Sequence, residues 1–506
     1  MLASGTESTN AANGGPNRPG GEGARMAKVL AALLLLLAVV GPACALTQPG
    51  NRVENAAALE RFRNEFPRVS GGQTLATSDR AYRLFAEVMR RVQTEHVRPQ
   101  PPMVMVEKAL AGVEAKYKAD RAAGSLVLTE AGLDAMLTAL DPYSSYLDAE
   151  NFRYMREQTQ GEFGGLGIEV TMDEESGLVK VVSPIDGSPA ARAGLRSGDL
   201  IARIDEQAVK GMNLRDAVAK MRGPVGSHVA LSLKRANADN LLRVSLTRAV
   251  VKIQPVRWRL EGDVGYIRIA AFNQSTAQTL DEALYDLRRQ SGGRLAGAVI
   301  DLRNNPGGLL DQAVAVSDRF LEAVEIVSIR GRDPEDSRRY LGAAGDQMVG
   351  LPLVVLVNSG SASASEIVAG ALQDHARALV FGVRTYGKGS VQTISSLNGD
   401  SGIRLTTARY HRPSGATVDC YGVTPNVEVR AAESRAEEIH ADPAACDPAA
   451  KPPTQVQRWN MDVMCPTIAD VRPAADTVVK EENDVAVHCA VSAIRTRLMG
   501  AKVGQR

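Results

Sequence analysis

From Val256 onward the chain alternates short, mostly apolar runs with amphipathic stretches, and this restricts the fold more than any other feature of the 506 residues. The runs at 298–302 and 353–357 are rich in Val, Ile and Leu, as strands buried on both faces are, and 265–269 and 379–381 read as further strands. Between them, 276–289, 312–320 and 364–372 carry apolar residues at helical spacing. Parallel strands need a long crossover, usually a helix, so strands alternating with helices predict an α/β core with a largely parallel sheet over 251–430.

Two regions precede this core. Tyr82, Phe85, Val88, Met89 and Val92 recur at helical spacing behind an Asp79 N-cap, 103–117 repeats the pattern, and 129–140 repeats it again before Asp141-Pro142 stops it. These define a helical N-terminal region, 46–155. At Gly161 the character changes: Gly164-Gly165-Leu166-Gly167-Ile168 opens a module with short strands at 179–182, 200–204, 229–233 and 242–246 and one helix near 214–221. That order resembles a PDZ domain, placed at 156–250, with Gly165, Leu166, Gly167 and Ile168 as its carboxylate-binding loop. Successive N–H groups in a Gly-rich turn form a nest for an anion, and the adjoining strand edge accepts an extended peptide. The four residues alone would fit a plain turn; the agreement of the whole module favours capture of a free C-terminus.

The sharpest chemical segment is 353–366, a buried strand turning abruptly into a helix at Ser359-Gly360-Ser361-Ala362-Ser363. A side chain at such a turn stands above the sheet edge, next to the free N–H groups and positive dipole of the helix start. Ser363 is the candidate nucleophile, although Ser363 and Glu366 also fit a capping box. A serine needs a base. His375 lies too far along the same helix, nearly 20 Å from Ser363 at about 1.5 Å per residue, and His411 and His228 have no motif around them. The absence of Gly-x-Ser-x-Gly disfavours an α/β-hydrolase elbow. Lys388, between Gly387 and Gly389, serves if burial holds its amine neutral, with Gln392 to hold it in place. The rival reading of 382–388 as a phosphate-binding loop breaks at Gly389, where a hydroxyl is required, and strands rather than a helix follow. At Asp301-Leu302-Arg303-Asn304-Asn305-Pro306-Gly307-Gly308 a second strand meets a glycine turn. Backbone N–H groups of Gly307 or Gly308, with that of Ala364, are candidate oxyanion donors.

Together these segments resemble the C-terminal processing peptidases, the tail-specific proteases of family S41 in the ClpP-like serine peptidase superfamily. Leu137 to Leu147, the PDZ module, 301–308, 357–370, 385–392, 405–415 and 422–426 carry the likeness, in the family's order. The resemblance implies an α/β ClpP/crotonase-like peptidase core with an inserted PDZ domain and helical N-terminal and C-terminal regions. It implies a Ser/Lys dyad without cofactor or metal, selects Ser363 among Ser361, Ser363 and Ser365, and pairs it with Lys388 and Gln392. It also implies that the PDZ domain receives the tail of a protein substrate and that docking gates the site. A non-catalytic tail-binding scaffold is the alternative. Tyr143 stands where histidine is common and Asn426 where aspartate is usual, neither at a position assigned a catalytic role.

The ends of the chain bear on location and partners. Lys28 precedes an apolar run, 29–40, and Gly41-Pro42-Ala43-Cys44-Ala45 follows, which reads as a leader and signal peptide over 1–45, with a retained membrane anchor as the alternative. An exported, periplasmic protein is expected. Cleavage after Ala45 leaves Cys420, Cys446, Cys465 and Cys489, an even number suited to disulfides. The C-terminal region, 431–506, holds three of these and a helical pattern at 485–498. A net charge of +1 offers no footprint for nucleic acid. The expected partners are protein substrates with apolar C-terminal tails, an adaptor protein, and further copies of the chain.

Overall fold

A computed structural model describes residues 49–185, 187–236, 240–397, 399–429, 441 and 484–496. The expected signal peptide, Cys446 and Cys465 lie outside these residues. Among the described helices, none is long and apolar enough to cross a membrane.

The core is a six-stranded sheet in the order Val256–Glu261, Val264–Ile269, Gly297–Asp301, Leu353–Val357, Leu379–Gly382, Val427–Glu428. The first pair is antiparallel and every later pairing is parallel. Gly297–Asp301 and Leu353–Val357 are buried at every residue, which explains their apolar sequence, broken only at Asp301, whose carboxylate is paired with Arg268 and Arg303. One face packs on helices Thr276–Gln290, Leu310–Asp318 and Ala364–Asp374 through Leu280, Leu284, Val316, Ile367 and Leu372. The other is covered by the C-terminal helix Val485–Arg495, whose Val487, Ala490, Val491 and Ile494 meet Val299, Val354 and Leu356. Asp484 caps that helix and pairs with Arg303, at 2.6 Å, just beyond the strand Gly297–Asp301.

A second sheet runs Ser145–Leu147, Gly402–His411, Glu325–Gly331, Arg338–Leu341, with Ser390–Ser396 also pairing to Gly402–His411. Its first strand brings in the helical lead-in. Helices Pro102–Ala119 and Ser125–Thr138 cross where glycines allow backbone contact: a Cβ on Gly132 would stand 2.8 Å from the Ala109 carbonyl oxygen. Helix Arg80–Glu95 buries Phe85, Val88, Met89 and Val92, as its spacing predicts, together with Leu84, whereas Tyr82 is only partly buried. Phe85 stacks on Phe62, at 3.6 Å between centroids, in a preceding helix, Pro49–Val69, that the sequence reading does not include.

A third sheet orders Ile168–Asp173, Leu178–Pro184, Leu200–Ile204, His228–Lys234, Leu242–Thr247, with Gln207–Ala208 paired to its third strand. A two-stranded ribbon, Glu162–Gly165 with Ala249–Lys252, pairs the chain entering this module with the chain leaving it. Helix Leu214–Met221 lies against it, its carbonyl end satisfied by the Arg248 guanidinium on the Lys220 and Met221 oxygens.

Candidate active site

The strand Leu353–Val357 ends at Asn358, whose side chain exchanges two 2.8 Å hydrogen bonds with Asn304 beyond the neighbouring strand. Two parallel strand ends are thereby locked side by side at their carboxyl edge. Beyond Ser359, three serines divide by environment. The buried Ser361 hydroxyl donates to the Leu302 carbonyl (2.8 Å), and the buried Ser365 hydroxyl donates to that of Asn305 (2.9 Å). Ser363, between them and half-buried, has φ 55 and ψ −114. A β-substituted residue held at positive φ costs on the order of 1–3 kcal/mol and persists only where its surroundings enforce it.

Glu366 does the enforcing. It is fully buried, and its Oε2 accepts the N–H groups of Ser363 (2.8 Å) and Lys388 (2.9 Å). Its Oε1 accepts the Thr385 hydroxyl (2.5 Å) and the Gly387 N–H (2.7 Å). Burial pushes this carboxyl up from its ordinary value while those donors pull against it. The capping box is therefore present but does more than end a helix, because one carboxylate joins the Ser363 turn to the Lys388 loop. The Glu366 N–H gives a 2.8 Å bond to the Ser363 carbonyl, leaving the Ser363 hydroxyl as no more than a second acceptor of that proton.

Lys388 approaches through a segment pressed against Asp419 and Cys420. A Cβ on Gly389 would lie 2.8 Å from the Asp419 nitrogen, and the Asp419 carboxylate is paired with Arg409. Burial pushes the Lys388 amine from its ordinary 10.5 down to about 8, with Arg404 adding to the effect and Glu366 and Asp141 opposing it. The Nζ sits 4.7 Å from the centre of the Tyr143 ring. Among the described residues, no hydrogen bond joins this amine to the Ser363 hydroxyl.

The other expected residues separate. The Gln392 Nε2 donates to the Ser390 hydroxyl (2.9 Å), next to a bulge at Val391/Gln392, and among the described residues no hydrogen bond joins Gln392 to the Lys388 amine. The Gly307 N–H is spent on Asn305 Oδ1 (2.9 Å). Gly307 instead provides room: at φ 102, its Cβ would lie 2.9 Å from the Ala364 nitrogen and 2.9 Å from the Ser363 Cβ. The N–H groups of Gly308 and Ala364 have no partner among the described residues. His375 bonds the Glu325 carbonyl (2.6 Å) at the far end of the helix. Asn426 fastens Val380 and Gln373, and a strand follows the Lys388 loop where a phosphate-binding loop needs a helix. Cys420 and Cys489 are both disulfide-bonded.

In the inserted module, Ile168–Asp173 is one of the two edge strands of its sheet, the other being Leu242–Thr247. The Leu166 carbonyl accepts the Ala190 N–H (2.9 Å) and the Gly167 carbonyl the Ser188 hydroxyl (3.0 Å), which turns the loop's acceptors inward. Among the described residues, no group of three or more His, Cys, Asp or Glu could hold a metal ion.

Sequence comparisons can be set against this geometry. Residues 263–429 match peptidase family S41, and residues 180–235 match a PDZ domain. A carboxy-terminal-processing protease of Bartonella bacilliformis is 45% identical over 346 residues, 68% of this chain and 74% of that protein. The chain belongs to peptidase family S41. A carboxyl-terminal-processing protease of Picosynechococcus is 36% identical over 296 residues, 58% of this chain and 70% of that protein. A solved structure titled photosystem II D1 C-terminal processing protease is 34% identical, covering 69% of this chain and 93% of that one at a TM-score of 0.41. As an S41 member with a PDZ domain, the chain is a serine protease on the α/β fold of that family. Two features of this candidate site escape sequence reading: the tie made by Glu366, visible only as a capping residue, and the approach of Tyr143, for which no local pattern exists.

Proposed function

We propose that this S41 protease is an endopeptidase that cuts exported proteins near their C-termini, with Ser363 as nucleophile and Lys388 as its base. The observation that carries the reading is the buried Glu366 carboxylate, which holds the N–H groups of both residues. A neutral amine takes the Ser363 proton, and the oxygen attacks the scissile carbonyl. The unpartnered N–H groups of Gly308 and Ala364 suit the resulting oxyanion, and Gly307 leaves space for it. The Lys388 ammonium then protonates the departing amine, and water releases the acyl group. The PDZ module, 156–250, receives an apolar C-terminal tail along the free edge of Ile168–Asp173, its carboxylate against the loop Gly165-Leu166-Gly167-Ile168.

The test is cleavage of a folded protein carrying an apolar tail. Ser363→Ala and Lys388→Ala each abolish it, and chelators leave it unchanged. Cleavage by the Ser363→Ala protein would overturn the assignment, and covalent labelling of Ser363 by an acylating inhibitor separates an enzyme from a tail-binding scaffold.

A further inference from the structure

By sequence, Tyr143 belongs to the helical lead-in and stands far from the catalytic pair. In the folded chain its ring faces the Lys388 amine, 4.7 Å from Nζ to centroid. The loop presenting it is held firmly. Asp141 accepts the N–H groups of Tyr143 (2.8 Å) and Ser144 (2.9 Å). It also accepts the hydroxyls of Ser144 (2.7 Å) and Thr406 (3.0 Å), and the buried His96 ring lies 3.0 Å from it. Thr406 is the register partner of Gln392, so this loop is fastened to the strand pair that continues from Lys388. Burial, with the Tyr386 phenol beside it, pushes the Tyr143 phenol up and keeps it neutral. The charged groups that act on the amine are Arg404, Glu366 and Asp141.

An aromatic wall acts on such an amine in two opposed ways. It excludes water, which favours the neutral form. Its face also carries negative quadrupole density, which favours the ammonium. We propose that the Tyr143 ring is a positioning surface for Lys388, keeping water off the amine and fixing where it sits beside the ring. The proposal rests on Lys388 as the base. Tyr143 is thus a positioning residue that acts through the lysine.

The test is the pH dependence of Ser363 acylation by a small acylating inhibitor, measured on the full chain for wild type and for Tyr143→Phe, Tyr143→Leu and Tyr143→Ala. The rate rises with pH as the amine loses its proton. Phe keeps the ring, and its rising limb coincides with that of wild type. Leu keeps the wall dry without a π face, so its limb moves to lower pH. Ala admits water, so its limb moves up by about one pH unit and its rate at pH 7 falls about tenfold. Limbs of Leu and Ala that both coincide with wild type would overturn the proposal, whatever happens to the plateau rates. The Leu variant decides the matter if Ala fails to fold. A Lys388→Ala protein that still labels with the wild-type profile would instead remove the base assignment, a result independent of any Tyr143 variant.

Discussion

Replacing Lys388 with methionine should stabilise the folded chain while destroying its activity. Methionine fills nearly the same volume with no amine to dehydrate. The fall of the amine from 10.5 to about 8 is driven first by burial. It corresponds to about 3 kcal/mol of unfavourable free energy in the folded chain while the amine stays protonated. Residual contact with water and the lost Tyr143 contact reduce this, so the expected gain is about 1–3 kcal/mol at pH 7. The sign follows from proton counting. Between pH 8 and 10.5 the unfolded chain binds more protons at this site than the folded one, so wild-type stability rises through that window. The variant's advantage is therefore complete below pH 8 and gone above 10.5. Denaturant midpoints at pH 7 and at pH 10.5 measure it. A variant less stable than wild type at pH 7, or equally advantaged at both pH values, would refute the reasoning.

Further consequences follow from the same contacts. Glu366→Gln places an amide among four donors that a carboxylate satisfies, and should cost about 3 kcal/mol of stability together with most of kcat, read by denaturation and by turnover. Gly307→Ala drives a Cβ against the Ser363–Ala364 peptide, and should lower kcat about 100-fold or more with little change in the denaturation midpoint at the PDZ module, read by turnover and tail-peptide binding. The Asp301 carboxyl is buried, which alone would raise it, but Arg303 and then Arg268 hold it below its ordinary value. Its stabilisation is present at neutral pH and lost as pH falls through the carboxylate range, so Asp301→Asn should cost about 3–5 kcal/mol at pH 7 and flatten the acid limb of the stability profile.

The core sheet was legible because strands buried on both faces must be largely apolar, and 353–357 is so throughout while 298–302 is so but for Asp301. The strands Arg338–Leu341 and Ser145–Leu147 escaped notice because neither is apolar enough, nor long enough, to show a period. The helical lead-in was readable from Phe85, Val88 and Val92, whereas Pro49–Val69 was not, its polar sequence carrying only a few anchors such as Phe62 and Phe66. At the site, sequence could point to Ser363 by its turn and to Lys388 by its glycines. It could not say that the Gly307 N–H is consumed by Asn305, that Gln392 turns to Ser390, or that Tyr143 closes on the amine, because each is a contact between segments whose approach only the tertiary fold decides.

The account depends on an amine that is neutral for a useful fraction of the time near physiological pH. Isotope-labelled lysine in the full-length Ser363→Ala protein, with Lys388 assigned by its absence from the Lys388→Met spectrum, permits direct titration of that nitrogen by NMR. A midpoint near 8 is the expected result. An amine that stays fully protonated to pH 10 would contradict the proposed chemistry.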